Sequence, residues 1–102
     1  MNIVNLTPHA IHINGRTFEP DGIVARLTEL TVWAGNTCDG IDLVHKTYAE
    51  AVHLPEPSSE ILYIVSSMVR ERYPDRKDLA SPGDLIRDGE GKIIGCSNLV
   101  IN

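Results

Sequence analysis

Basic residues, aromatics and cysteines are all scarce in this chain, and each scarcity excludes something. Nine Lys and Arg stand against fourteen Asp and Glu among 102 residues, a formal charge of −5. Wrapping a nucleic-acid polymer takes clustered cations to neutralise its phosphates, and no basic tract exists to do it. One Phe, one Trp and three Tyr bring little of the large apolar area that aromatic side chains lend to a core. Cys38 and Cys96 could form at most one bridge. No apolar run approaches the ~20 residues of a membrane span, and the opening MNIVNLTPHA lacks the basic-then-apolar pattern of an export signal. A cytoplasmic protein with two free thiols is the expectation, with no membrane partner.

Motifs are missing too. His9 and His12 are three apart, which on a strand places them on opposite faces, and neither cysteine belongs to a Cys-x-x-Cys pair. No metal site is expected. There is no P-loop, dinucleotide fingerprint, G-x-S-x-G or H-E-x-x-H, so no cofactor is expected and the commoner enzyme classes lose support.

What remains is an ordinary globular balance, 42% hydrophobic and 23% charged, in a length that suits one domain spanning residues 1–102. Asn14-Gly15 between Ala10–Ile13 and Arg16–Phe18 predicts a hairpin with a type I′ turn, setting Ile13 opposite Arg16 and Ile11 opposite Phe18. Residues 23–33 read as a strand, 35–40 as a loop, and 41–48 as the returning strand. His53-Leu54-Pro55-Glu56-Pro57 reads as an extended connector. Ile61-Leu62-Tyr63-Ile64-Val65 is apolar on both faces, as a central strand would be. A short helix follows from Ser66, with Val65, Met68, Val69 and Tyr73 on one stripe, Arg70 and Glu71 facing away, and Pro74 ending it. Residues 75–84 read as a turn-rich loop, 85–96 as a second hairpin with Asp88–Gly91 at its tip, and 99–101 as a last strand. The expected class is α+β, a β-rich single domain of about six or seven short strands with one short helix. An all-β sandwich is the alternative. Short strands rich in Val and Ile around so small a core predict a homo-oligomer.

Six of the nine basic residues lie from residue 70 onward. Together with Ser66 and Ser67 at a helix N-terminus, where backbone N–H groups are free, they point to a small phosphorylated ligand. Arg76 and Arg87 would fork onto phosphate oxygens, and Asp78 would accept from hydroxyl or amine groups. Asn5, Thr7 and His9 would read the remaining polar groups. The plainer reading gives Asn5 and Thr7 local backbone hydrogen bonds and pairs Arg76 with Asp78 as a surface ion pair. Cys96, or His9 as a base, could serve a small nucleotide hydrolase or transferase, although a cysteine among small residues usually fills a core. No catalytic residue is assigned.

NLTPHAI, LPEP followed by ILYIVSSMV, PDRKDLASPGD and IRDGEGKIIGC together resemble a family of small proteins found in phages and in actinobacterial genomes. The resemblance covers nearly the whole chain and brings no catalytic residue with it. In size and design, though not in motif, the chain is also similar to anti-defence sponges, symmetric phage oligomers that capture nucleotide immune signals. The implied function is sequestration of a phosphorylated nucleotide, cyclic or of ADP-ribose type, that would otherwise trigger host anti-phage defence. The alternatives are the hydrolase or transferase above and an inhibitor that pairs with a protein through an open sheet edge.

Overall fold

The computed structural model describes residues 2–102. Ten strands and one helix follow in the order β1 (Asn2–Asn5), β2 (Ile11–Ile13), β3 (Arg16–Phe18), β4 (Arg26–Asn36), β5 (Asp42–Val52), β6 (Ile61–Ile64), α1 (Ser67–Arg72), β7 (Leu79–Pro82), β8 (Leu85–Arg87), β9 (Ile93–Cys96) and β10 (Leu99–Ile101). They form one sheet of order β1-β6-β7-β10, a second of order β3-β2-β9-β8, and a separate β4–β5 ribbon. The fold is β-rich α+β with one short helix. Val69 of that helix is buried in the main core, so the helix is integral to the domain.

The first hairpin has the expected register, Ile11 opposite Phe18 and Ile13 opposite Arg16. Asn14 (φ 51°) and Gly15 (φ 80°) take the two left-handed positions of the turn, the geometry that matches the twist of the flanking strands. The second hairpin also forms, with Leu85 opposite Cys96. β6 lies between β1 and β7, parallel to both. Its Tyr63 and Ile64 point to opposite faces and are both buried, as a central strand requires. The core gathers around it from Leu6, Ala25, Tyr63, Val65, Val69 and Leu79.

Four expectations need correction. The count is ten strands rather than six or seven, partly because the 75–84 loop contains β7. Leu79, Ala80 and Ser81 are all buried between β6 and β10. Tertiary pairing outweighs the local turn propensity of Ala-Ser-Pro-Gly, and Pro82 stands last in its strand, past the final β6 partner at Ala80. The β4–β5 ribbon runs three residues beyond the expected end of the first strand and four beyond that of the second. Arg70 does not face away: its guanidinium donates to Ser81 Oγ (2.9 Å) and Asn102 Oδ1 (3.2 Å). The Asn102 amide in turn reaches the carbonyls of Arg70, Tyr73 and Arg76 at 3.0–3.1 Å. These are carbonyls at and just beyond the helix C-terminus; those of Arg70 and Tyr73 also accept from the Tyr73 and Arg76 N–H groups, so Asn102 reinforces a turn that the backbone already closes. Met68 is 44% exposed, leaving Val69 to anchor the helix.

The two four-stranded sheets leave the β4–β5 ribbon standing off as an arm. The radius of gyration is 16.9 Å, against about 13 Å for a compact domain of this length. Inside the second sheet the packing is closer. A Cβ built on Gly95 would lie 2.6 Å from the His12 carbonyl oxygen, so β2 and β9 meet there only because the side chain is absent. Gly95→Ala should therefore cost about 2 kcal/mol through forced separation of the strands. Urea denaturation measures it, and a change under 0.5 kcal/mol would show that the strands separate freely.

Candidate functional site

The segment after β1 is built on Asn5, which is 2% exposed. Its amide donates to the carbonyls of His9 and Phe18, both at 2.8 Å. Its Oδ1 accepts from the Thr7 N–H (2.9 Å) and the Thr7 hydroxyl (2.7 Å). This is an Asx-type turn, the local bonding that Asn favours, extended to a strand of the other sheet. The Asn5 side chain is thereby fully engaged inside the protein. The His9 ring is exposed, and only its backbone carbonyl takes part in the turn.

The turn sets Leu6 into the core and Thr7 and Pro8 along a cleft of about 330 Å³. Val24, Ala25 and Leu27 form a second wall where the chain enters β4. Tyr48 of β5 and Met68 of α1 complete the apolar lining. Thr7, Ser66 and Arg26 also line it, and Tyr48 brings a phenol hydroxyl; Arg26 lines a second cleft as well, with Ile23, Val52 and His53. Ser66 caps α1, its Oγ accepting from the Val69 N–H at 3.3 Å, which leaves its own O–H free to donate. Ser67 is the first helical residue and exposed. Among the described residues, Arg26 forms no ion pair.

Arg76 and Asp78 are brought together elsewhere, and they face each other. Arg76 Nε and an NH2 nitrogen donate to the two Asp78 oxygens at 2.9 and 2.8 Å, and Asp78 also accepts from the Ser58 N–H at 3.0 Å. Asp78 is 6% exposed, so this is a buried bidentate pair and not the weak surface contact that the spacing also allowed. The hydrogen bond from Arg76 holds the Asp78 carboxyl below its ordinary range, against the opposing effect of burial. Arg87 lies in the second sheet, where it donates to the Gly91 carbonyl at 2.9 Å across its own hairpin.

Of the sequence-derived candidates, the structure thus joins Thr7 with Ser66, pairs Arg76 with Asp78, and places Arg87 apart from both. Arg26 is inconspicuous in the sequence because six of the nine basic residues lie after it, from residue 70 onward. The available signal was a single charge inside Ile23-Val24-Ala25-Arg26-Leu27, an otherwise apolar run. Both cysteines are free, Cys38 exposed and Cys96 buried. Cys96 borders a cleft with His12, not His9. Among the described residues no group of three His, Cys, Asp or Glu could hold a metal ion, and no helix is long and apolar enough to cross a membrane. Comparison with family models, curated proteins and solved structures finds no match.

Two measurements separate scaffold from site. Asn5→Ala should destabilise the free protein by about 3 kcal/mol, since it strips partners from the Phe18 carbonyl of β3 and from the Thr7 N–H and His9 carbonyl of the turn. Chemical denaturation without any ligand would detect this, and a loss below 1 kcal/mol would free Asn5 for another role. For Asp78, a folded pKa below the unfolded one means that its stabilisation is present above the unfolded value and is lost as pH falls through the folded one. The native protein should lose stability below about pH 4, and Asp78→Asn should be less stable at pH 7 with a flatter acid limb. Parallel limbs for the two proteins would contradict the pairing.

Proposed function

We propose that this protein is a homo-oligomeric binding protein that sequesters a small phosphorylated nucleotide-type ligand without turning it over. The observation that carries this reading is the cleft at the root of the arm, lined by apolar walls, by Arg26, which forms no ion pair among the described residues, and by the hydroxyl-bearing Thr7, Ser66 and Tyr48. Largely apolar pockets with a few convergent polar groups are the usual form of small-molecule sites. Arg26 would fork onto phosphate oxygens, as guanidinium geometry favours. The Ser66 hydroxyl would donate to a ligand oxygen, while Thr7, whose proton is committed within the Asn5 turn, would accept. Leu6, Val24, Leu27 and Met68 offer a surface for the face of a ring.

The proposed ligand contacts therefore move from Asn5, His9, Ser67, Arg76, Asp78 and Arg87 to Arg26, with Thr7 and Ser66 retained. The resemblance to phage proteins adds the biological setting to the proposal: capture of a nucleotide immune signal in a host cell's cytoplasm. The hydrolase or transferase reading is less well supported, because Cys96 is buried and His9 does not border its cleft.

The test is a melting-temperature screen against AMP, ADP-ribose and cyclic dinucleotides, followed by calorimetric titration. Arg26→Ala should weaken the best ligand by about 2 kcal/mol, roughly 30-fold, while Arg87→Ala leaves it unchanged. Ligand released by heat should be chemically intact. The reading fails if no nucleotide raises the melting temperature, if the two variants bind alike, or if the released compound has been converted.

A further inference from the structure

Each strand of the β4–β5 arm has 11 residues, and nearly all of them are exposed. Leu30, Val32, Trp33, Leu43, Val44 and Tyr48 are between 44 and 63% exposed. The register sets Trp33 opposite Val44 and Glu29 opposite Tyr48. By strand alternation, Trp33, Val44 and Tyr48 share one face, while Leu30, Val32 and Leu43 share the other. The arm is thus apolar on both sides, and its two outer strand edges are unpaired among the described residues. A two-stranded ribbon is marginal in water on its own, and long apolar edges are what soluble monomers avoid.

About half the area of six such side chains amounts to about 500 Å² of apolar surface. That area is divided between the two faces, so it reaches the apolar share of a standard interface, about 800 Å² from each partner and somewhat over half apolar, where one partner clasps both faces. Among the described residues only nine apolar and three polar ones are buried. So thin a core needs a partner present whenever the chain folds, and another copy meets that condition. An anionic lipid surface suits the arm poorly. Its cations are Arg26, at the root, and Lys46, already paired with Glu29, and the far end carries Asp39 and Asp42.

We propose that the β4–β5 arm is an assembly arm whose two apolar faces are covered by a second copy of this chain. This rests on the oligomeric part of the proposed function and is independent of its ligand. Failure here would leave nucleotide binding in the cleft to stand or fall on its own titrations.

Light scattering of the full chain should give an integral multiple of 11.2 kDa across micromolar concentrations. Trp33→Asp and Leu30→Asp, one on each face, should each return the mass to a single copy with an unchanged far-ultraviolet spectrum. Ile23→Asp, exposed but outside the arm, should not. Trp33 is the only tryptophan and reports on the unmodified protein as well. In the assembly its emission should be that of a buried indole, at least threefold less quenched by iodide than free tryptophan, even if the variants fail to fold. A single-copy mass for the native chain would overturn the proposal. So would both arm variants retaining the native mass, an indole fully open to iodide, or a mass explained by a different protein in fixed proportion.

Discussion

One amide side chain joins the two halves of this fold. Asn5 ends β1, a strand of the first sheet, and donates to the Phe18 carbonyl at the end of β3 in the second. Its own carbonyl accepts from the Asp21 N–H, so side chain and backbone both lead into the crossing. A buried amide can meet such demands only when every donor and acceptor is matched, and here all are matched within the protein. The turn from residue 5 to residue 9, the seat of Leu6 in the core and the position of Thr7 follow from that fixed point.

Electrostatics in this acidic domain works chiefly as internal fastening. Arg76 holds Asp78, and through it the connector at Ser58. Arg70 joins the helix to Ser81 and Asn102. Arg16 and Arg72 lie over the rings of Phe18 and Tyr73, contacts that use the quadrupole of the ring face. A guanidinium already in a fork geometry has little left to offer an incoming anion. Among arginines so employed, Arg26 stands out by being idle beside an apolar cleft.

Much of this was legible where the signal is local. Asn14-Gly15 fixed a turn type and with it a register, because two left-handed residues in succession leave few options. The apolar run at 61–65 and the serine before the helix were equally plain. β7 was not, since Ala-Ser-Pro-Gly is turn-like by composition and becomes a strand only through partners at residues 63–64 and 99–101. The direction of Arg70 depended on Asn102, 32 positions away, which no helical stripe encodes. The candidate site was half legible for the same reason. Thr7 and Ser66 lie at ends of local motifs, whereas the partners that occupy Arg76 and Arg87, and the cleft that exposes Arg26, are properties of the folded surface.

The parallel pairing of β1 with β6 has a consequence for how the cleft comes into being. Asn2 lies opposite Ile61, a closure spanning 59 residues (61 − 2). Hairpins close quickly because their ends are near, while a loop of this length first loses several kcal/mol of chain entropy. Leu6 reaches the core only through that closure, its N–H donating to the Ile64 carbonyl and its own carbonyl accepting from Ala25. Thr7, Ala25 and Ser66 thus become neighbours through the same long-range pairing that seats Leu6 in the core.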